Sequence, residues 1–226
     1  MSELFDDPES YDDMLERGLK LSGESKDFFI RGRLEHLRRR LPQDARPKRI
    51  LDFGCGVGDA SAVLAGMFPD ASVVGVDVAA AAVQRADATL GSDRVAFGTL
   101  NLLDRSEPFD LCYVNGAFHH IAVDERATVM GTIHGATRPG GILAVFENNP
   151  WSIPARMVMR RIPFDADAVM LRARELAELA RRAGFSKVLP VRYLFVFPKA
   201  LRRLRVVERA LEPLPLGAQY GVLCIR

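Results

Sequence analysis

Ile50-Leu51-Asp52-Phe53-Gly54-Cys55-Gly56-Val57-Gly58 joins a short apolar run directly to a G-x-G-x-G loop, with an acid just ahead of it. Glycines at that spacing let the backbone turn tightly from strand into helix and leave bare amides against which a ligand can lie. A second apolar run, Ser72-Val73-Val74-Gly75-Val76, ends in Asp77, nineteen residues beyond Gly58. A carboxylate there is placed to accept from both hydroxyls of a ribose, so loop and acid together describe a nucleoside site.

Two details choose among nucleosides. A dinucleotide fingerprint reads G-x-G-x-x-G, whereas the third glycine here, Gly58, comes one residue early. Asp52 would repel a pyrophosphate, but its charge suits the cationic amino acid portion of S-adenosylmethionine. With Leu51-Asp52-Phe53-Gly54-Cys55-Gly56-Val57-Gly58 followed by Asp77, the chain resembles the class I S-adenosylmethionine-dependent methyltransferases from about Tyr11 to its end.

Composition sets the frame. A chain of 226 residues with 48% apolar and 27% charged residues has enough material for one α/β domain with a sizeable core. The acidic stretch Met1 to Ser10 lacks the apolar segment of a signal peptide, and no later run is long enough to span a bilayer, so a cytoplasmic location is expected. Cys55, Cys112 and Cys224 are odd in number and lack metal-ligand spacing, which argues for reduced thiols. Cys55 reads as a small residue under a ligand rather than a reactive thiol.

Strand and helix patterns alternate along the chain. Strands are expected at Arg49–Phe53, Ser72–Val76, Arg94–Phe97, Phe109–Val114 and Gly141–Phe146, with helices at about 60–68, 79–90 and 124–137. Such alternation calls for a parallel sheet covered on both faces, with ligands at the carboxyl ends of the strands where the order reverses. Pro139-Gly140-Gly141 reads as the turn into the fifth strand. Farther on, 172–183 reads as a helix stopped by Gly184, with strands within 185–197 and over 218–225. The resemblance implies a Rossmann-like, seven-stranded, mostly parallel sheet in the order 3-2-1-4-5-7-6. It divides one domain, 1–226, into a helical lid (1–45), a cofactor-binding core (46–147), a substrate cap (148–172) and closing strands and helices (173–226).

The resemblance also assigns residues. Gly54, Cys55, Gly56 and Gly58 would contact the methionyl part of S-adenosylmethionine, with Asp52 at the head of the loop, Asp77 on the ribose and Val78 along the adenine. An Asp followed by an apolar residue usually meets the adenine amino group in these relatives. Here the matching pair is Asn101-Leu102, and an amide oxygen can accept the same hydrogen bond. Asn115 and Gly116, at the mouth of the fourth strand, would lie near the transferred methyl.

Phe118-His119-His120-Ile121 is the candidate chemical centre, because an imidazole near neutral pKa can take a proton from a methyl acceptor. The segment resembles the double-histidine motif of many small-molecule methyltransferases. The alternative is that one ring caps the next helix while the other lines the pocket. Glu147, directly after the fifth strand, would point into the same cleft. Asn148-Asn149-Pro150-Trp151 looks like the Asn-Pro motif of amino-methyltransferases, but that motif closes the fourth strand, where this chain has Asn115-Gly116-Ala117. Catechol-type enzymes need an acid at Asn115 for magnesium, so no metal is expected.

Trp151, Arg156 and Arg160 belong to a connection that would cap the acceptor, with guanidinium groups suited to a carboxylate or phosphate; a solvated amphipathic helix explains the same pattern. Tyr11 would cover the sulfonium or merely pack. The run Arg38-Arg39-Arg40 has no interleaved aromatic residues in a chain of net charge +2, so it reads as a solvated helix face and no nucleic acid is expected. The resemblance implies a methyltransferase acting on an oxygen, or a nitrogen, of a small-molecule acceptor, and the arginines suit an anionic one. Three alternatives stay open: a protein that binds S-adenosylmethionine without turnover, an RNA methyltransferase module that needs a partner, and an NAD-type oxidoreductase. Nothing in the sequence sets the oligomeric state.

Overall fold

A computed structural model describes residues 18, 19, 22–105, 107–162, 165 and 167–226. In chain order the principal elements are α1 (Lys26–Arg40), β1 (Arg49–Phe53), α2 (Asp59–Met67), β2 (Ser72–Asp77), α3 (Ala80–Leu90), β3 (Val95–Thr99) and β4 (Phe109–Asn115). They continue with α4 (Arg126–Ala136), β5 (Thr137–Asn148), α5 (Ile153–Met159), α6 (Ala173–Ala183), β6 (Lys187–Val188), β7 (Arg192–Leu194), α7 (Glu208–Leu211) and β8 (Gln219–Ile225).

The strands form one sheet in the order β3-β2-β1-β4-β5-β8-β6, with β7 also paired to β8. The first five run parallel, and β8 inserts antiparallel against β5, with Ala144 opposite Leu223. The expected order therefore holds, except that its sixth strand is two pieces. Both β6 and β7 lie on the same flank of β8, Val188 opposite Cys224 and Arg192 opposite Gly221. Pro190, which has no N–H to give a ladder, sits between them.

Alternation along the strands divides the core. Leu51, Phe53, Cys112 and Val114 face Met130, Ile133 and Leu176 of α4 and α6. Ile50, Leu111 and Tyr113 face Ile30, Leu34 and Leu37 of α1 and Leu64 of α2. The first helix starts at Lys26, because Ser25 Oγ caps it by accepting from Phe28 N at 3.2 Å. One boundary differs from expectation. The fifth strand starts at Thr137, so Pro139-Gly140-Gly141 lies inside it, at a register shift opposite Phe109 to Leu111 that Gly140 accommodates with φ +74°.

The arginine run is not simply a solvated face. Arg39 pairs with Glu212 at 3.1 Å, and a guanidinium nitrogen of Arg40 donates to Pro190 O at 3.2 Å, tying α1 to the C-terminal third. No helix among the described residues is long and apolar enough to cross a membrane.

Candidate active site

The order reverses between β1 and its neighbours β2 and β4, and this opens a crevice at their carboxyl ends. The β1–α2 loop lines it with three glycines, all at positive φ: Gly54 at +75°, Gly56 at +53° and Gly58 at +87°. Their surroundings differ. A Cβ on Gly54 would meet Ala117 Cβ at 2.9 Å and one on Gly58 the Phe97 ring at 2.7 Å, while one on Gly56 would meet nothing within 4 Å. The space over Gly56 is therefore a cradle open to a ligand.

Asp77 organises that cradle. Its Oδ2 accepts from Gly56 N at 2.8 Å and its Oδ1 from Ala79 N at 3.0 Å. Val78 beside it is 78% exposed at the rim. Asp52 lies beneath the loop, 2% exposed, and accepts from Ser61 Oγ at 2.6 Å. Burial pushes its carboxyl up to about 7; Asp77 and Asp59 act in the same direction, and Ser61 and Arg33 oppose them. Burial also holds the Cys55 thiol far from ionisation, in keeping with a small packing residue. Asn101 is exposed on the 3-10 turn after β3, whereas Leu102 packs against the core.

Beyond Asn115 and Gly116 lies a cavity of about 400 Å³, whose lining includes both of these residues, His119, His120 and Asp165. Gly116, with φ +65°, turns the chain out of β4 into the short 3-10 turn Phe118–His120. Glu147, 1% exposed, fixes that turn: Oε1 accepts from Phe118 N at 2.7 Å and Oε2 lies 2.6 Å from His119 Nδ1. On the other side of the ring, His119 Nε2 is 3.5 Å from Asp165 Oδ1, and His120 Nε2 is 3.3 Å from the same oxygen.

Burial alone would lower the His119 pKa, but Glu147 and Asp165 outweigh it and raise it to about 10. Held as an imidazolium, this ring departs from the neutral base expected of it.

The structure thus gathers Asn115, Gly116, His119 and His120 at one cavity, with Glu147 behind them. It does not bring the expected cap residues there. Trp151 is 64% exposed beneath the Arg172 guanidinium, and Arg156 and Arg160 are exposed and outside the lining. Among the described residues, the lysine and arginine side chains in the lining are Lys26, Arg33 and Arg205. Tyr11 lies outside the described residues. Asn149 is a brace: its amide donates to Pro215 O and Gly217 O at 3.2 and 2.8 Å, and its oxygen accepts from Trp151 N at 3.1 Å.

Two site residues escaped the sequence reading. Arg33 falls on the buried stripe Ile30, Arg33, Leu34, Leu37 of α1, and a charge on an apolar stripe was its available signal. It is buried, donating to Tyr113 OH at 3.3 Å and to Gln219 Oε1 at 3.0 Å. Asp165 offered no comparable signal.

Comparisons with known proteins agree with this architecture. Residues 51–143 match a family model described as a methyltransferase domain. A trans-aconitate 2-methyltransferase of Methylobacterium radiotolerans is 32% identical over 123 residues, which cover 54% of this chain and 46% of that protein. The chain spans about half the length of the curated relatives it matches. Among solved structures, a SAM-dependent methyltransferase from Archaeoglobus fulgidus superposes with a TM-score of 0.65 at 15% identity, covering 92% of this chain and 97% of that one. One from Mesorhizobium loti gives 0.61 at 21%, covering 86% and 98%. At such identities the likeness is one of fold.

Proposed function

We propose that the chain is a class I S-adenosylmethionine-dependent methyltransferase, as its methyltransferase-domain match and its relatives support, and that it transfers the methyl of S-adenosylmethionine to an oxygen of a small, anionic acceptor. One observation carries the reading: the loop at Gly54–Gly58 leaves open space over Gly56 beside the Asp77 carboxylate. The donor set fits the cofactor. Asp77 would take the ribose hydroxyls, Val78 and Leu102 would flank the adenine, and Asn101 would accept from its amino group. Asp52 would balance the methionyl ammonium, and Asn115 and Gly116 would border the sulfonium. When bound, S-adenosylmethionine supplies a methyl group on a cationic sulfur, activated for in-line transfer.

The chain's part is to seat and align the acceptor. The cavity joins the mouth of β4, where Asn115 and Gly116 stand, to an apolar wall that includes Phe28, Phe29 and Phe195. That wall would shield a bound acceptor from water, and Arg33 would offer charge to a carboxylate. The relatives named for trans-aconitate support an organic acid as acceptor. The acceptor oxygen would be activated at the cluster of His119, His120 and Asp165, with Glu147 positioning His119.

Calorimetric titration with S-adenosylmethionine and with NADH tests the cofactor, and transfer of a labelled methyl to a panel of organic acids tests the reaction. Binding of NADH in preference to S-adenosylmethionine would reject the proposal. In the same titration Gly56→Val should weaken S-adenosylmethionine at least ~tenfold, because the side chain enters the open space and a β-branched residue at positive φ strains the loop by roughly 1–2 kcal/mol. A folded variant with parental affinity would remove the loop from the site.

Asp52 makes affinity depend on pH. A cation favours its ionised form, so below about 7 a proton must leave before the ligand gains the charge. Affinity should fall by up to about tenfold per unit as pH drops below that value, and level off above it. Arg33, Asp77 and Asp59 are the charged groups acting on it, and Asp52→Asn should abolish the slope. A profile equally steep in that variant would assign the effect elsewhere.

A further inference from the structure

We infer that His119, His120 and Asp165 form a binding site for a divalent transition cation of the zinc class, with one coordination position open to the cavity. The nitrogens and the carboxylate oxygen that would bind lie within 4.8 Å of one another, and the two edges to Asp165 Oδ1, from His119 Nε2 and His120 Nε2, measure 3.5 and 3.3 Å. A tetrahedral ion at ~2.0–2.1 Å from each ligand needs edges of about 3.3–3.4 Å. Both edges to Asp165 stand near that spacing.

A second observation points to a ligand. Asp165 is 8% exposed, and its Oδ1 is shielded from solvent with no donor among the described residues meeting hydrogen-bond geometry. A buried carboxylate oxygen left so calls for an ion or another strong partner. Behind His119, Glu147 Oε2 lies 2.6 Å from Nδ1. A carboxylate on the far nitrogen fixes a ligating imidazole's tautomer and leaves Nε2 directed at the metal.

Two imidazoles with one carboxylate suit zinc-class ions rather than magnesium, which wants oxygen ligands. This differs from the magnesium site of catechol-type enzymes, which Asn115 argues against. Three protein ligands leave a place for one oxygen of the acceptor, and the cavity supplies access to it. That use of the open position rests on the methyltransferase reading above; the site itself does not.

Equilibrium dialysis of the full chain with zinc, followed by elemental analysis, should give one ion per chain. Asp165→Asn and His120→Ala should each weaken binding at least ~tenfold, while the exposed control Asp124→Asn should bind like the parent. In the parent, cobalt should give the intense visible bands of a four- or five-coordinate site. Absence of stoichiometric zinc, parental binding in both variants, or a weak six-coordinate cobalt spectrum would overturn the site. The cobalt spectrum needs no variant, so it decides even if the substitutions unfold the chain. S-adenosylmethionine titrated into the same preparations separates the two readings: its retention without metal sinks only the metal site, and metal bound without it sinks only the methyl-transfer reading.

Discussion

Replacing Glu147 with alanine is expected to destabilise the fold by about 3–5 kcal/mol, the range for breaking a buried charge pair from one side. The carboxylate is fully enclosed and meets two donors, Phe118 N and His119 Nδ1. Alanine would leave the amide of the turn without an acceptor and a buried imidazolium without its nearest counter-charge. Glu147→Gln keeps the shape and an oxygen for Phe118 N, so its loss should be smaller. Urea unfolding measures both as a shift of midpoint at constant slope. A loss below about 1 kcal/mol in Glu147→Ala would mean that the cluster carries no charge requiring Glu147.

Asp77→Ala should weaken S-adenosylmethionine by roughly 2–4 kcal/mol, about 30- to 1000-fold, the scale of lost charge-assisted hydrogen bonds. Two effects add. The ribose hydroxyls lose their acceptor, and Gly56 N loses the carboxylate oxygen 2.8 Å away that sets the loop before any ligand arrives. Asp77→Asn can preserve only part of this, so it should fall between the parent and alanine. Titration calorimetry on both variants, with circular dichroism to confirm folding, reads the outcome. Parental affinity in Asp77→Ala would displace the nucleoside site from this crevice.

The parts of the molecule legible in the sequence are those written locally. Apolar alternation in β1, β2 and β4, the glycines after β1 and the stop at Gly184 each act within a few residues of themselves, and they led to the sheet and the crevice. Glu147 was legible because the carboxyl end of a central strand opens onto that crevice, although β5 runs on to Asn148 and Glu147 lies within it rather than after it. Asp165 was not: it lies forty-six residues from His119, in a connection whose path nothing local dictates. Arg156 and Arg160 misled for the converse reason. Their spacing fixes a helix, but not which side of α5 turns inward, and it is Met159 and Ala155 that are buried.

The broken flank of the sheet bears on how the protein behaves in a crowded solution. An unbroken outer strand offers a row of unpaired amides and carbonyls on which another chain can add itself, a common seed of aggregation. Here that margin is a two-residue piece and a three-residue piece separated by Pro190, and the opposite margin, β3, has only five residues. Neither side presents a long, straight template. Straightening the gap by replacing Pro190 would therefore make self-association the outcome to watch for, ahead of any change in catalysis.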